Sequence, residues 1–347
     1  MNRRPGWTVL LALVLALAGC TAPAAPAPAP TRTPSIAAIS PDAPLSLTVA
    51  TGPASAAFAP VWLAVENGFF ARHGLRVNLQ TGMSGVNQAQ ALLAGEIQVG
   101  NFGPSELLNA RSTGADVIGV AETIFSPLFE LHAAPSFPSV ESLRGKTVAI
   151  TRTGSSNDLA ARIILSAHGL TPGQDITLIQ TGDQFQALAA LQSGGVDSAV
   201  FSPPTNLKAT SAGYPSITAV ADTGAVLIDL LTVTSRAYTD AHPEGLLAYL
   251  SGYVEGLREF LVNPEAAVAI IARYTESDLD TAREGYRIVL PTIDPRPFIR
   301  DEGLKTIQTF DVSGRLGGVN LAAAHDDRFL MQLQAAGLLD ATGSVPR

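Results

Sequence analysis

From Leu45 onward, short apolar runs alternate with helix-length amphipathic stretches, and the alternation starts afresh after Leu143-Arg144-Gly145. Strands separated by helices build a largely parallel sheet covered by helices. A pattern that runs, stops and restarts predicts two such units. In the first, 45–50, 75–79, 97–100 and 117–120 read as strands. Pro60, Ser84 and Pro104 open helices, and Gly95 closes the second of these. In the second unit, 146–150, 176–179, 196–201 and 217–220 read as strands, with helices from Ser155 or Asn157, from Phe185 and from Pro204. The apolar run 226–234 predicts the strand that returns to the first unit. Beyond residue 240 the spacing of Leu246, Leu250, Tyr253, Leu257 and Phe260 is helical. Helical patterns recur at 264–274, 278–290, 301–310 and 325–336, and these helices are expected to pack on the first unit.

The fold class is therefore α/β with two lobes, a discontinuous lobe I (45–125 and 225–347) and lobe II (126–224). The chain crosses between them near 123–134 and near 222–225, and two crossings suit a hinge. A length of 347 residues with 46% apolar content exceeds what one small core organises. Thirty acidic against 22 basic residues give a net charge of −8, which excludes a nucleic-acid partner read by a basic stripe. A single cysteine excludes an internal disulfide and a cysteine-built zinc or iron–sulfur site. No GxSxG, P-loop, HExxH or GxGxxG motif occurs, and the histidines (73, 132, 168, 242, 325) are scattered. His325-Asp326-Asp327 reads as a surface loop rather than a metal site. No metal or cofactor is expected.

Residues 1–20 read as a lipoprotein signal peptide. Arg3 and Arg4 precede a ten-residue apolar stretch, 9–18, too short to span a bilayer as a helix. Leu17-Ala18-Gly19-Cys20 has the form of a lipobox, and Cys20 is the chain's one cysteine. The expectation is lipidation at Cys20, with the membrane reached through the lipid anchor alone. Residues 21–44, dominated by Ala, Pro, Ser and Thr, read as a disordered linker with polyproline II character.

The stretch Phe58-Ala-Pro-Val-Trp-Leu-Ala-Val-Glu-Asn-Gly-Phe-Phe-Ala-Arg-His-Gly-Leu75 resembles the opening of the nitrate/sulfonate/taurine-binding proteins, a group that includes the pyrimidine-binding proteins of thiamine-precursor uptake. Leu92-Leu-Ala-Gly-Glu-Ile-Gln-Val-Gly100, Leu143-Arg-Gly-Lys-Thr-Val-Ala-Ile150, Gly154-Ser-Ser-Asn-Asp-Leu159 with His168-Gly-Leu170, and Ala187-Leu-Ala-Ala-Leu-Gln-Ser-Gly-Gly-Val-Asp-Ser-Ala-Val200 continue the likeness in order. The resemblance implies a two-lobed fold of the type II periplasmic-binding-protein kind, with the ligand cleft between the lobes. It implies an extracytoplasmic, lipid-anchored, monomeric receptor that hands a small-molecule solute to the transmembrane subunits of an ABC permease, without catalysis. The implied solutes are sulfonates, taurine, nitrate or pyrimidines. A sensory lipoprotein is the alternative. The fungal pyrimidine synthases resemble the chain too, but carry a cysteine-rich motif that is missing here.

Candidate ligand contacts follow from the turns after strands. Gly154, Ser155 and Ser156 start a helix whose free N–H groups and dipole suit an anion. Thr51 and Ser55 lie in a small-residue turn after the first strand, with Phe58 and Trp62 placed for stacking. Ser84 precedes a helix, Asn101 and Phe102 end a strand, and Thr123, Ser202 and Asp222 follow strands near the crossings.

Overall fold

A computed structural model of the chain describes residues 39, 43–125, 128–311 and 313–339. The lipobox, Cys20 and nearly all of the 21–44 linker lie outside these residues.

The first half of the fold begins β1 (Leu45–Thr51), α1 (Ala59–Glu66), α2 (Phe69–Arg72), β2 (Leu75–Gln80), α3 (Gly85–Ala94), β3 (Val99–Phe102), α4 (Pro104–Ser112) and β4 (Val117–Ile124). The chain then enters the second half through β5 (Glu130–Ala133), β6 (Thr147–Ile150), α5 (Ser156–Ala167), β7 (Thr177–Gln180), α6 (Gln184–Gln192), β8 (Ser198–Phe201), α7 (Thr205–Ser211) and β9 (Ser216–Ala219). It returns through β10 (Leu230–Ser235) to α8 (Arg236–Ala241), α9 (Pro243–Val262), α10 (Pro264–Thr275), α11 (Leu279–Val289), α12 (Asp301–Thr309) and α13 (Arg328–Ala335).

Two five-stranded sheets result, ordered β2-β1-β3-β10-β4 and β7-β6-β8-β5-β9. They share one plan. β1 pairs parallel with β2 and β3, as β6 does with β7 and β8. The strand that enters each sheet from the other half, β10 or β5, runs antiparallel to both its neighbours. The sheets are thus mixed, where the sequence predicts largely parallel ones. The expected first crossing also contains a strand: β5 is read as loop because Glu130 and His132 interrupt its apolar pattern. The returning strand starts at Leu230, so the expected 226–234 run splits into a connection and a strand.

Local sequence explains the element ends. Ser84 caps α3 by accepting from the Asn87 N–H, and Gly95 ends it in the left-handed region, φ 74°. Ser155 caps α5 through the Asp158 N–H, and Asp183 caps α6 through the Gln186 N–H. The long α9 packs on α1 and α2. Its Gly252 and Gly256 face them so closely that a Cβ on Gly256 would collide with the Pro60 carbonyl oxygen. Trp62, Tyr249, Tyr253 and Phe260 fill the core beneath, each fully buried.

Candidate functional site

The parallel strands of both sheets point their C-terminal ends at one crevice. The turns after β1, β6 and β8 line it, together with the starts of α3, α4 and α6. Ligands in open α/β sheets sit at such strand ends. The cleft measures about 740 Å³, within the range of roughly 300–1,000 Å³ that takes an organic molecule.

Of the candidate contacts, Ser55, Phe58, Ser84, Gly154, Ser155 and Ser202 line this cleft. Phe58 lies over the turn after β1, and a Cβ on Gly52 would stand 3.0 Å from its ring. Ser202 exchanges two hydrogen bonds with Gln184, its N–H donating at 2.8 Å and its Oγ accepting at 3.0 Å. Ser156 is not among the lining residues; it stands behind the lining Glu106, and its Oγ donates to Glu106 Oε2 at 3.4 Å. This bond joins a helix of one half to a helix of the other. Asn109 Nδ2 donates across the same seam to the Gly154 carbonyl at 3.4 Å.

The other candidates stand elsewhere. Trp62 is fully buried and stacked on Tyr274 at 4.5 Å between centroids. Its helix turns it inward while Phe58 stays at the surface of the cleft. Thr51 and Asn101 pair in adjacent strands beneath the wall, and Asn101 donates to the Ala50 carbonyl and accepts from Thr232. Phe102 and Thr123 are buried in β3 and β4. Asp222 accepts from the Ala219 N–H in an exposed turn, away from the cleft. Beside Thr123, Glu122 is held by the Arg300 guanidinium at 2.6 Å and by the Arg300 N–H. His325 uses its ring nitrogens on Asp301 at 2.8 Å and Asp327 at 3.5 Å.

The charged groups that line the cleft among the described residues are Glu106, Asp183, Asp229, Arg152 and Arg315. Glu106 sits in the first turn of α4, its stem packed on Gly85 of α3 at 3.1 Å from an added Cβ. Burial pushes its carboxyl up to about 7, and the Ser156 hydroxyl and Arg152 charge offset only part of this. Asp229 lies just before β10. Burial pushes it up to about 7 as well, and the neighbouring Glu106 charge adds to the rise. Neither carboxylate forms an ion pair within 4 Å with a described residue. The sequence reading missed both. Glu106 looks like an ordinary acid complementing a helix dipole, but Asp229 interrupts Val226-Leu-Ile-Asp-Leu-Leu-Thr-Val233, and a charge inside such a run was a readable signal.

The α5 turn is less open to an anion than its sequence suggests. Ser155 Oγ donates to the Arg152 carbonyl at 2.8 Å and accepts from the Asp158 N–H. The Gly154 N–H donates to the Asp158 carboxylate at 2.8 Å. The positive end of α5 therefore already faces two carboxylates, Asp158 of its own first turn and Glu106 opposite.

Comparison with known proteins agrees with this architecture. A taurine-binding periplasmic protein of Escherichia coli is 26% identical over 204 residues, 58% of this chain and 62% of that protein. A formylaminopyrimidine-binding protein of Halalkalibacterium halodurans is 25% identical over 220 residues, 61% and 64% of the two chains. The chain spans about 60% of the length of the curated relatives it matches. Among solved structures, the aliphatic sulphonate-binding protein SsuA of E. coli superimposes with a TM-score of 0.68 at 19% identity, covering 81% of this chain and 92% of that one. The nitrate-binding protein NrtA of Synechocystis gives 0.68 at 14% identity, covering 87% and 92%. These share the periplasmic-binding-protein fold. The family described as NMT1/THI5 like matches residues 55–267, more than half the sequence, and the chain belongs to that family.

Proposed function

We propose that this protein is the extracytoplasmic solute-binding lipoprotein of an ABC importer, and that it holds its solute reversibly in the cleft between the two halves. The observation that carries the reading is the cleft itself, lined from both sheets at their strand ends in a chain whose relatives are named as binding proteins. Lobe I (45–125 and 225–347) and lobe II (126–224) close on the solute about the two crossings. Solute favours the closed form through its greater affinity for that form. In this reading the cleft holds its solute by hydrogen bonding and apolar contact, with no covalent change. Cys20 anchors the monomer to the membrane through the 21–44 linker and keeps it near its permease.

A thermal-shift screen of taurine, alkanesulfonates, nitrate and pyrimidines tests the reading. A true solute at about 100 times its Kd adds ~2.7 kcal/mol of stability, and a flat response across the screen counts against a receptor of this kind. Cys20→Ser is expected to move the protein from the membrane to the soluble fraction. A variant that still sediments with membranes contradicts the anchor.

A further inference from the structure

The cleft's chemistry is lopsided in a way that bears on what it binds. Two of its lining carboxylates, Glu106 and Asp229, have no ion-pair partner among the described residues, while large apolar side chains stand exposed along the same lining. Glu106, Ser156 and the Asp229 backbone converge on one point: a Cβ built on Gly103 would lie 2.5 Å from Glu106 Oε2, 2.6 Å from Ser156 Oγ and 3.6 Å from the Asp229 carbonyl oxygen. Among the described residues the one hydrogen bond to the Glu106 carboxylate from another side chain is the long one from Ser156. Burial and the Glu106 charge act on Asp229, with no donor from a described residue to relieve it. Two carboxylates that line one cleft and act on each other's charge are costly unless something cationic or rich in N–H donors joins them.

The walls above are apolar. Phe58 and Leu230 line the interior. Val86, Leu93 and Phe185 of the lining are 48%, 54% and 57% exposed, among the few exposed large hydrophobics of the described residues. They come from both halves, α3 on one side and α6 on the other. An inorganic anion or a small sulfonate gives such a lining nothing to cover. The donors an anion would need at α5 are meanwhile engaged by Arg152, Asp158 and Ser155 themselves.

We propose that the solute is an organic base, with a protonated amine or an amidine-type nitrogen seated between Glu106 and Asp229 and an apolar body running out along Phe58 and Leu230 to Phe185. This rests on the receptor reading above and narrows it. Arg152 and Arg315, on exposed positions of the lining, are left for a peripheral acidic group if the solute carries one.

Calorimetric titration of the full chain with benzamidine, phenethylamine and 4-aminopyrimidine, set beside taurine, butanesulfonate and nitrate, tests this. At least one base is expected to bind, and its affinity to fall tenfold or more in Glu106→Gln and in Asp229→Asn. Circular dichroism and the melting temperature establish that both variants fold. Binding of the anions without any base overturns the inference and leaves the receptor reading standing, as does a base that binds both variants as tightly as the parent. A second arm needs no guess at the solute. The chain is incubated with a bacterial culture extract, repurified and denatured, and the released small molecules are weighed by mass spectrometry. A released compound containing a basic nitrogen supports the proposal. A compound without one overturns it alone, and no released compound together with no binding in the first arm overturns both readings.

Discussion

Glu106 and Asp229 are the residues through which the empty cleft should respond to pH. Protonated, each carboxyl is neutral in the folded and unfolded chain alike and costs nothing. Ionised, each carries a poorly hydrated charge only in the folded chain. Since burial raises both to about 7, stability is greatest below the ordinary carboxylate value and declines as pH rises through about 7. One pK unit corresponds to about 1.4 kcal/mol, and partial solvent access reduces the pair's effect to the order of 1–3 kcal/mol. Melting temperature without solute is expected to be higher at pH 5.5 than at pH 8. His325 is also raised, by Asp327 and Asp301, and loses its contribution in the same direction. The Glu106→Gln, Asp229→Asn double variant separates the two: it flattens the profile if the cleft carboxylates set it, and an unchanged slope assigns it to His325 or elsewhere.

At the level of elements, α9 decides how closely the helical layer approaches the first sheet. Gly252 and Gly256 lie one turn apart on the face that meets α1 and α2. A Cβ on Gly252 would come within 2.6 Å of Phe70, and one on Gly256 would collide with backbone of α1. Overpacking of this kind costs about 1–3 kcal/mol, so Gly256→Ala should lower the unfolding free energy by that much and move the denaturant midpoint down with it, while Gly317→Ala, in open space, should be nearly neutral. Most elements were legible because their punctuation is local. Ser84 and Gly95, Ser155 and Gly169, Pro243 and Pro264 mark helix ends in the sequence itself. Strand direction was not legible. β10 looks like any apolar run and β5 like a polar connection, and the antiparallel placement of both depends on which half the chain arrives from, information no local window holds. The same limit explains the site. The turns at Ser55, Ser84, Ser155 and Ser202 were readable as strand-to-helix junctions, but Trp62 at a helical spacing from Phe58 gave no sign of which face the core would claim. Glu106 and Asp229 gain their meaning only when the 122 residues between them fold so that both line one cleft.

For the whole molecule, the two sheets share a plan and the two connections join them, so closure about the cleft is the motion the architecture permits. The seam between α4 and α5, held by Glu106 with Ser156 and by Asn109 with Gly154, is where the halves already touch. Gly103→Ala places a methyl group into that seam. It should hold the halves apart, increase the radius of gyration in solution scattering with solute present, and weaken solute binding about tenfold, equivalent to ~1.4 kcal/mol. An unchanged radius and affinity would show that the seam does not govern closure. The account as a whole rests on a solute being held and returned unchanged. The most direct measurement is titration of the chain with its best-stabilising solute, followed by recovery and mass analysis of that solute. The account predicts one molecule bound per chain and recovery at its original mass; a solute recovered in altered form, or binding that persists undiminished when the cleft is blocked, would contradict it.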